Sequence, residues 1–285
     1  MRGSSSAFAE RFASRTHVLL ASCGDAQRAV GQAKYLKNVV RCHGIQSAGI
    51  DECLKQLLRT KPLEIPDDSE AHWTTCGHLL KSAYFEEKEV GIRLLKTRAT
   101  KLEADGGLSA TQLLGFSAAF DRGVKTWATC DSFCNRVVKP MLETRQRRGI
   151  SAKDVLDVLS AWNVQQQSPW RQRASCVALV IPARRGWFVE TGFSHAEQAV
   201  RRSDDRFVQL GAGWLMRELT TVDKKRALAS LRRDHPHWSR EAVRYAIEKL
   251  SAHDRQEVLQ YVPPGAEPAS GGLRSRQKRK RSSEG

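Results

Sequence analysis

Three short segments of the chain hold the side chains best suited to chemistry. In Lys125-Thr-Trp-Ala-Thr-Cys-Asp131 an indole and a carboxylate stand four residues apart, so on a helix Trp127 and Asp131 share one face. An indole face attracts a cation or a sugar, and a fixed carboxylate supplies negative charge. Together they suit a substrate that is cationic or becomes so in its transition state. The plainer alternative is a core tryptophan beside an aspartate that complements a helix dipole. In the segment Ser168 to Leu179, Arg173 opens an apolar stretch with no acid evident beside it. Its guanidinium either grips a phosphate bidentately or pairs with an acid distant in sequence. In the third segment, Arg206 to Leu219, Gly211 and Gly213 interrupt a helical pattern just before Trp214. Each costs roughly 1 kcal/mol relative to Ala. Close approach of a neighbouring helix or of a ligand backbone would explain them, although an ordinary helix tolerates two glycines as well.

Other groups carry less. Cys130 and Cys134 are one helical turn apart without histidines beside them, and His235-Pro-His237 and Gly106-Gly107 read as turns. No phosphate-cradling glycine motif followed by Lys-Ser/Thr occurs, so ATP use is not expected.

The elements that must position these residues are helical almost throughout. Apolar spacing places Val30 to Val40 in one helix ended near Gly44, and further helices at 48–59, 70–83, 86–101, 109–119, 125–146 and 152–162. Others follow at 170–184, 195–201, 205–220, 224–233, 239–249 and 254–261. Phe8, Phe12 and Leu19 fit one helical face, which keeps the first twenty residues in the folded domain. Ser109, Ser151, Ser168 and Ser239 stand where N-caps are wanted. Many short helices with short joins and no hairpin signal predict an all-α fold, an α-solenoid of stacked helix pairs. Glu89, Trp127, Arg173 and Trp214 recur 38, 46 and 41 residues apart, about one helix pair each. Equivalent helices in a solenoid line its concave face, so these residues can converge there.

Composition narrows the partners. The chain has 47 Lys and Arg against 31 Asp and Glu, a net charge of +16, which favours polyanions, nucleic acid before an acidic membrane surface. No run approaches the roughly 18–20 apolar residues of a membrane span, so a soluble protein is expected. Seven scattered cysteines without a CxxC pair argue against disulfide scaffolds and zinc ribbons and for a reducing compartment. From Val262 onward the sequence is rich in Pro and Gly and ends in Arg274-Ser-Arg-Gln-Lys-Arg-Lys-Arg281. Residues 1–261 are therefore expected to form one domain and 262–285 a disordered basic tail. The tail resembles a nuclear-localisation signal and would also adhere to phosphates; the Arg- and Ser-rich N-terminus leaves a mitochondrial or plastid address as the alternative.

Taken in order, these segments resemble the AlkD-like family of DNA alkylation-repair glycosylases, built from HEAT-like repeats. The resemblance runs through Ala33-Lys-Tyr-Leu-Lys-Asn38 with Gly44-Ile45, Glu89-Val-Gly-Ile-Arg-Leu-Leu95, Trp127-x-x-x-Asp131, Trp170-x-x-Arg173-Ala174, Gly213-Trp214-x-x-Arg217-Glu218 and Ser239-Arg-Glu-Ala242. It spans about residues 8–260. The resemblance implies a right-handed solenoid with a concave DNA-binding face. Trp127 and Trp214 would lie against the lesion-bearing deoxyribose, with Asp131 as catalytic carboxylate. Arg173, Tyr35 and Lys37 would contact DNA. It implies hydrolysis of the N-glycosidic bond of cationic N3- or N7-alkylated purines in double-stranded DNA by a monomer, without a base-binding pocket and with no metal or organic cofactor. The pattern departs at Ala128, where an acid is common, and at Ala48, Ile50 and Asp51, where a proline and paired arginines usually follow Gly-Ile. Two rival classes stand beside this reading: a catalytically silent DNA-structure binder of the same family, and a helical-repeat scaffold for proteins.

Overall fold

The computed structural model describes residues 2–59, 69–164 and 168–261, and the basic tail lies outside them. The helices, in order, are α1 (Arg2–Cys23), α2 (Ala26–Tyr35), α3 (Ser47–Arg59), α4 (Ser69–Leu79), α5 (Phe85–Ala99), α6 (Ala110–Gly115), α7 (Ser117–Gly123) and α8 (Trp127–Phe133). They continue as α9 (Lys139–Arg147), α10 (Lys153–Trp162), α11 (Pro169–Val177), α12 (Val180–Arg184), α13 (Val189–Arg202), α14 (Arg206–Leu219), α15 (Lys224–Arg233), α16 (Arg240–Ala246) and α17 (Ala252–Gln260). The described residues contain no strand, only a single parallel bridge between Arg41 and Tyr84. The fold is an all-α solenoid, with α4 on α5, α11 on α14 and α14 on both α13 and α16 among its closest pairings.

Two cores hold it. A small one joins α1, α3 and the loop after α2 through Phe8, Phe12, Leu20, Ile45, Ile50 and Leu54. Phe8 and Phe12 thus bury the face of α1 that their spacing indicates, and Leu19 packs on its edge. The larger core runs from Trp73 to Val258 and includes the buried aromatics Phe120, Phe133, Trp162 and Phe193.

Several boundaries differ from the apolar spacing: α13 starts at Val189 instead of His195, 109–119 divides into α6 and α7, α4 ends at Leu79, and four further differences have a local reason. Helix α2 stops at Tyr35 instead of running to Val40. It buries no residue of its own, and Lys37 and Asn38 adopt left-handed backbone with φ of 59° and 57°. That turn lets Val40 enter the core and Arg41 bond the backbone of Ala83 and Phe85. The segment at 170–184 divides into α11 and α12 at Ala178 and Leu179, and Pro182, inside α12, has no N–H to offer the Ala178 carbonyl. The segment at 125–146 stays helical but widens into a π-turn at Cys134–Val138, where the Lys139 N–H reaches back to the Cys134 carbonyl. Pro140 follows, so the Arg136 carbonyl lacks its ordinary donor. The fourth is a cap. Ser109, Ser168 and Ser239 accept from their first-turn N–H groups as N-caps do, but at α10 the cap position belongs to Ala152, and Ser151 only accepts from Lys153 N.

Candidate functional site

Helix α8 begins on Thr126, whose side chain accepts from Thr129 N. This cap fixes the first turn, so Trp127 and Asp131 stand one above the other, as their spacing predicts. The indole of Trp127 is half-buried, and the ring of Tyr35 meets it edge-on at 5.5 Å between centroids. Tyr35 itself is 67% exposed at the end of α2. Two aromatic rings at the surface of a basic protein form a stacking platform that a sugar or base can use. Lys37 lies just past the helix end, exposed, in the left-handed turn.

The decisive geometry concerns Asp131. Its Oδ1 accepts from Arg173 Nε and its Oδ2 from Arg173 Nη2, both at 2.8 Å. Arg173 Nη1 donates in turn to the Phe207 carbonyl on α14, also at 2.8 Å. Arg173 is thus no free guanidinium waiting for a phosphate: it is buried, and its fork is engaged by an acid 42 residues away in sequence. Of the two readings that the sequence left open, the structure shows the ion pair. Burial pushes the Asp131 carboxyl above its ordinary value, and the Arg173 fork opposes this without cancelling it. For Arg173, burial works against the charge, and the bonds to Asp131 overcome it and hold the guanidinium protonated. A parallel two-bond fork of this kind is the geometry of an ion pair, so Asp131 presents a carboxylate. Below it, Asn135 Nδ2 donates to the Asp131 carbonyl at 2.9 Å where the helix enters its π-turn.

The glycines of α14 explain how Arg173 fits. A Cβ on Gly211 would lie 3.1 Å from Arg173 Cγ, and one on Gly213 would lie 2.8 Å from the Ala242 carbonyl oxygen. Both therefore serve close helix packing, on α11 and α16 respectively. Trp214 follows directly, half-buried against the main core. It is tied to Asp131 through α14, whose Phe207 carbonyl Arg173 holds.

Asp131 opens on a cleft of about 610 Å³ that is also lined by Glu89, Arg93, Lys96, Arg136 and Lys139. Glu89 is buried, with Arg93 Nη2 at 3.5 Å and Arg136 Nε at 3.8 Å from one oxygen. Burial raises its carboxyl, outweighing Ser132 and the two arginines. Arg93 is occupied mainly by α3, donating to Asp51 and to the Ser47 hydroxyl. Asp51, one of the departures from the family pattern, thus pairs with a buried arginine. A second cleft of about 550 Å³ is lined by Arg41, Lys81, Lys88, Arg122 and Lys125 and by no acid. Lys88 is buried there, donating to the carbonyls of Leu80 and Gly123, and burial followed by the nearby Lys125 pushes it down to about 8.

Sequence reasoning missed Tyr245. This half-buried residue of α16 is close enough for the charges of Asp131 and Arg173 to act on it, and Arg217 lies 4.7 Å over its ring. Its spacing from Trp214 carries no periodic signal; only the folding of α16 against α14 brings it near. The cationic lining of both clefts was legible as net charge but not as position.

The sequence matches the family described as DNA alkylation repair enzyme over residues 17–250. No curated protein matches it. Among solved structures, a predicted DNA alkylation repair enzyme from Enterococcus faecalis is similar, with a TM-score of 0.61 and 14% identity, over 80% of this chain and 97% of that one. At such identity the likeness concerns the fold.

Proposed function

This chain belongs to the DNA alkylation repair enzyme family, and from that premise we propose that it is a DNA glycosylase that releases cationic N3- or N7-alkylated purines from double-stranded DNA. The observation that carries the reading is the bidentate clamp of Arg173 on Asp131 at the edge of a basic cleft.

Alkylation at N3 or N7 gives the purine a formal positive charge and makes it a ready leaving group, so little acid catalysis is needed. As the glycosidic bond breaks, positive charge develops at the anomeric carbon. A carboxylate already fixed in place stabilises that charge without reorganising, and Asp131 also orients the attacking water. Arg173 acts as a positioning residue: it holds both carboxylate oxygens and keeps the aspartate charged despite burial. Trp127 and Trp214 rest against the lesion sugar and add cation–π stabilisation while excluding water. Tyr35 and Lys37, with Lys96, Arg136 and Lys139, contact the flanking backbone, where each phosphate neutralised adds salt-sensitive affinity. The protein works as a monomer, and Arg274 to Arg281 directs it to the nucleus.

The test is direct. Purified protein incubated with duplex DNA carrying 7-methylguanine or 3-methyladenine releases free base. Tight binding without release would instead identify a silent binder of DNA structure. Neither binding nor release would identify a protein scaffold.

A further inference from the structure

Three elements bring together three ligand-type side chains that belong to the lining of neither cleft. His17 comes from α1, His43 from the loop after α2 and Glu87 from the first turn of α5. His17 Nδ1 and His43 Nε2 lie 2.7 and 2.8 Å from the same oxygen, Glu87 Oε1. Their three ligand atoms are all within 4.8 Å of one another. Glu87 and His43 are buried, whereas half of the His17 side chain is exposed and gives an approach from solvent. Tyr84 stacks on His43 at 4.1 Å and meets His17 edge-on, so the imidazole planes are braced.

We propose that His17, His43 and Glu87 form a zinc-binding site that staples the N-terminal wall of the solenoid. Two imidazoles and one carboxylate are a zinc donor set that leaves a fourth tetrahedral position for water. Zinc bonds of about 2.0–2.2 Å place ligands roughly 3.3 Å apart, so each imidazole nitrogen need draw back from Glu87 Oε1 only slightly, and the exposed His17 can move. None of the seven cysteines belongs to this cluster. Imidazole and carboxylate therefore favour zinc without thiolate help.

The staple has a structural consequence. The residues after His43 are already pinned to α5, because Glu86 accepts from the backbone N–H groups of His43, Gly44 and Ile45. That same loop holds α2, through Arg28 to the Gly44 carbonyl and Gln32 to the Ile45 carbonyl. Helix α2 carries Tyr35 to Trp127. A metal ion bridging His17, His43 and Glu87 would therefore lock the wall that presents Tyr35, in a structural role that requires no part in catalysis.

The full chain, stripped with EDTA and desalted, is titrated with zinc chloride by calorimetry and with cobalt(II) by absorption. One zinc should bind per chain, the cobalt form should show tetrahedral d–d bands without thiolate charge transfer, and zinc should raise the melting temperature. His17→Ala, at a half-exposed position, should fold and lose at least about 100-fold in affinity, the upper end of what a mere supporting residue costs. Glu87→Gln should do the same. His253→Ala, in the more exposed His253, Asp254 and Glu257 group, should leave the affinity unchanged. Absence of saturable binding, binding indifferent to His17→Ala, or binding lost with His253→Ala would overturn the site.

Discussion

Two carboxylates, Glu89 buried and Asp131 largely so, face the same cleft and are held in opposite ways. Asp131 receives two 2.8 Å bonds from one guanidinium. Glu89, one helix pair earlier, has its arginines at 3.5 and 3.8 Å and the pull of Ser132 beside them, with no two-bond fork on its carboxylate. Burial raises both. The first arrangement stores a rigid charge, as chemistry at a developing cation requires. The second leaves Arg136 loosely engaged and partly exposed, so a phosphate can draw it away at small cost. One cleft thus contains a fixed pole and an adjustable one.

The largest effect should come from breaking the fixed pole. Arg173→Ala leaves the Asp131 carboxylate and the Phe207 carbonyl without their partner, and a buried charge deprived of its mate costs about 3–5 kcal/mol. Chemical denaturation of the variant measures this; a loss below about 1 kcal/mol would mean that the pair is not held as described. Arg173→Lys keeps the charge but not the fork and should fall between. Next in size is Gly213→Ala. Its Cβ meets backbone, the Ala242 carbonyl at 2.8 Å, so α14 and α16 must separate, at roughly 1–3 kcal/mol. A melting temperature equal to wild type would show that the helices are less closely packed.

Acidification should separate activity from stability. The folded Asp131 binds its proton above the ordinary aspartate value of about 3.9. Base release therefore declines from above that pH, while protonation of this one group favours the folded state. Glu87 has the opposite sign. Burial raises it, but bonds from Ser82, His43 and His17 hold it below its ordinary value, so its contribution to stability persists above about 4.3 and is lost as pH falls further. Activity should thus fail before the fold does in parallel pH profiles of base release and circular dichroism. Coincident loss would contradict this order.

The smallest effect is expected at the adjustable pole. Because burial already favours its uncharged form, Glu89→Gln should cost less stability than Arg173→Ala and change turnover by no more than a few-fold, while raising DNA affinity by releasing Arg136. A loss of turnover as large as that of an Asp131 variant would erase the distinction between the two carboxylates.

Much of this was legible in the sequence because helices repeat locally. The helix sequence and the shared face of Trp127 and Asp131 follow from spacing, whereas at Gly211 and Gly213 spacing left helix packing, a ligand backbone and an ordinary helix equally open, and the approach of α11 and α16 decides for packing. The family was legible because its motifs occur in order. The partner of Arg173 was not, since nothing local marks Asp131 as the acid 42 residues away that its fork meets. Tyr245 and the His17–His43–Glu87 cluster were hidden for the same reason: each depends on helices that meet only after the solenoid stacks. The end of α2 was misplaced because its apolar residues, Val30 among them, are exposed and do not mark a buried stripe.

The central claim is that Asp131 acts as a preformed negative charge opposite a developing cation. Asp131→Asn preserves shape and leaves Arg173 a partner, so single-turnover release of 7-methylguanine from duplex DNA, with DNA binding measured in parallel, isolates the charge. Release should slow by at least about 10²–10³-fold while binding changes little, the scale of losing one preorganised electrostatic contact. Release within about threefold of wild type, with binding intact, would contradict it.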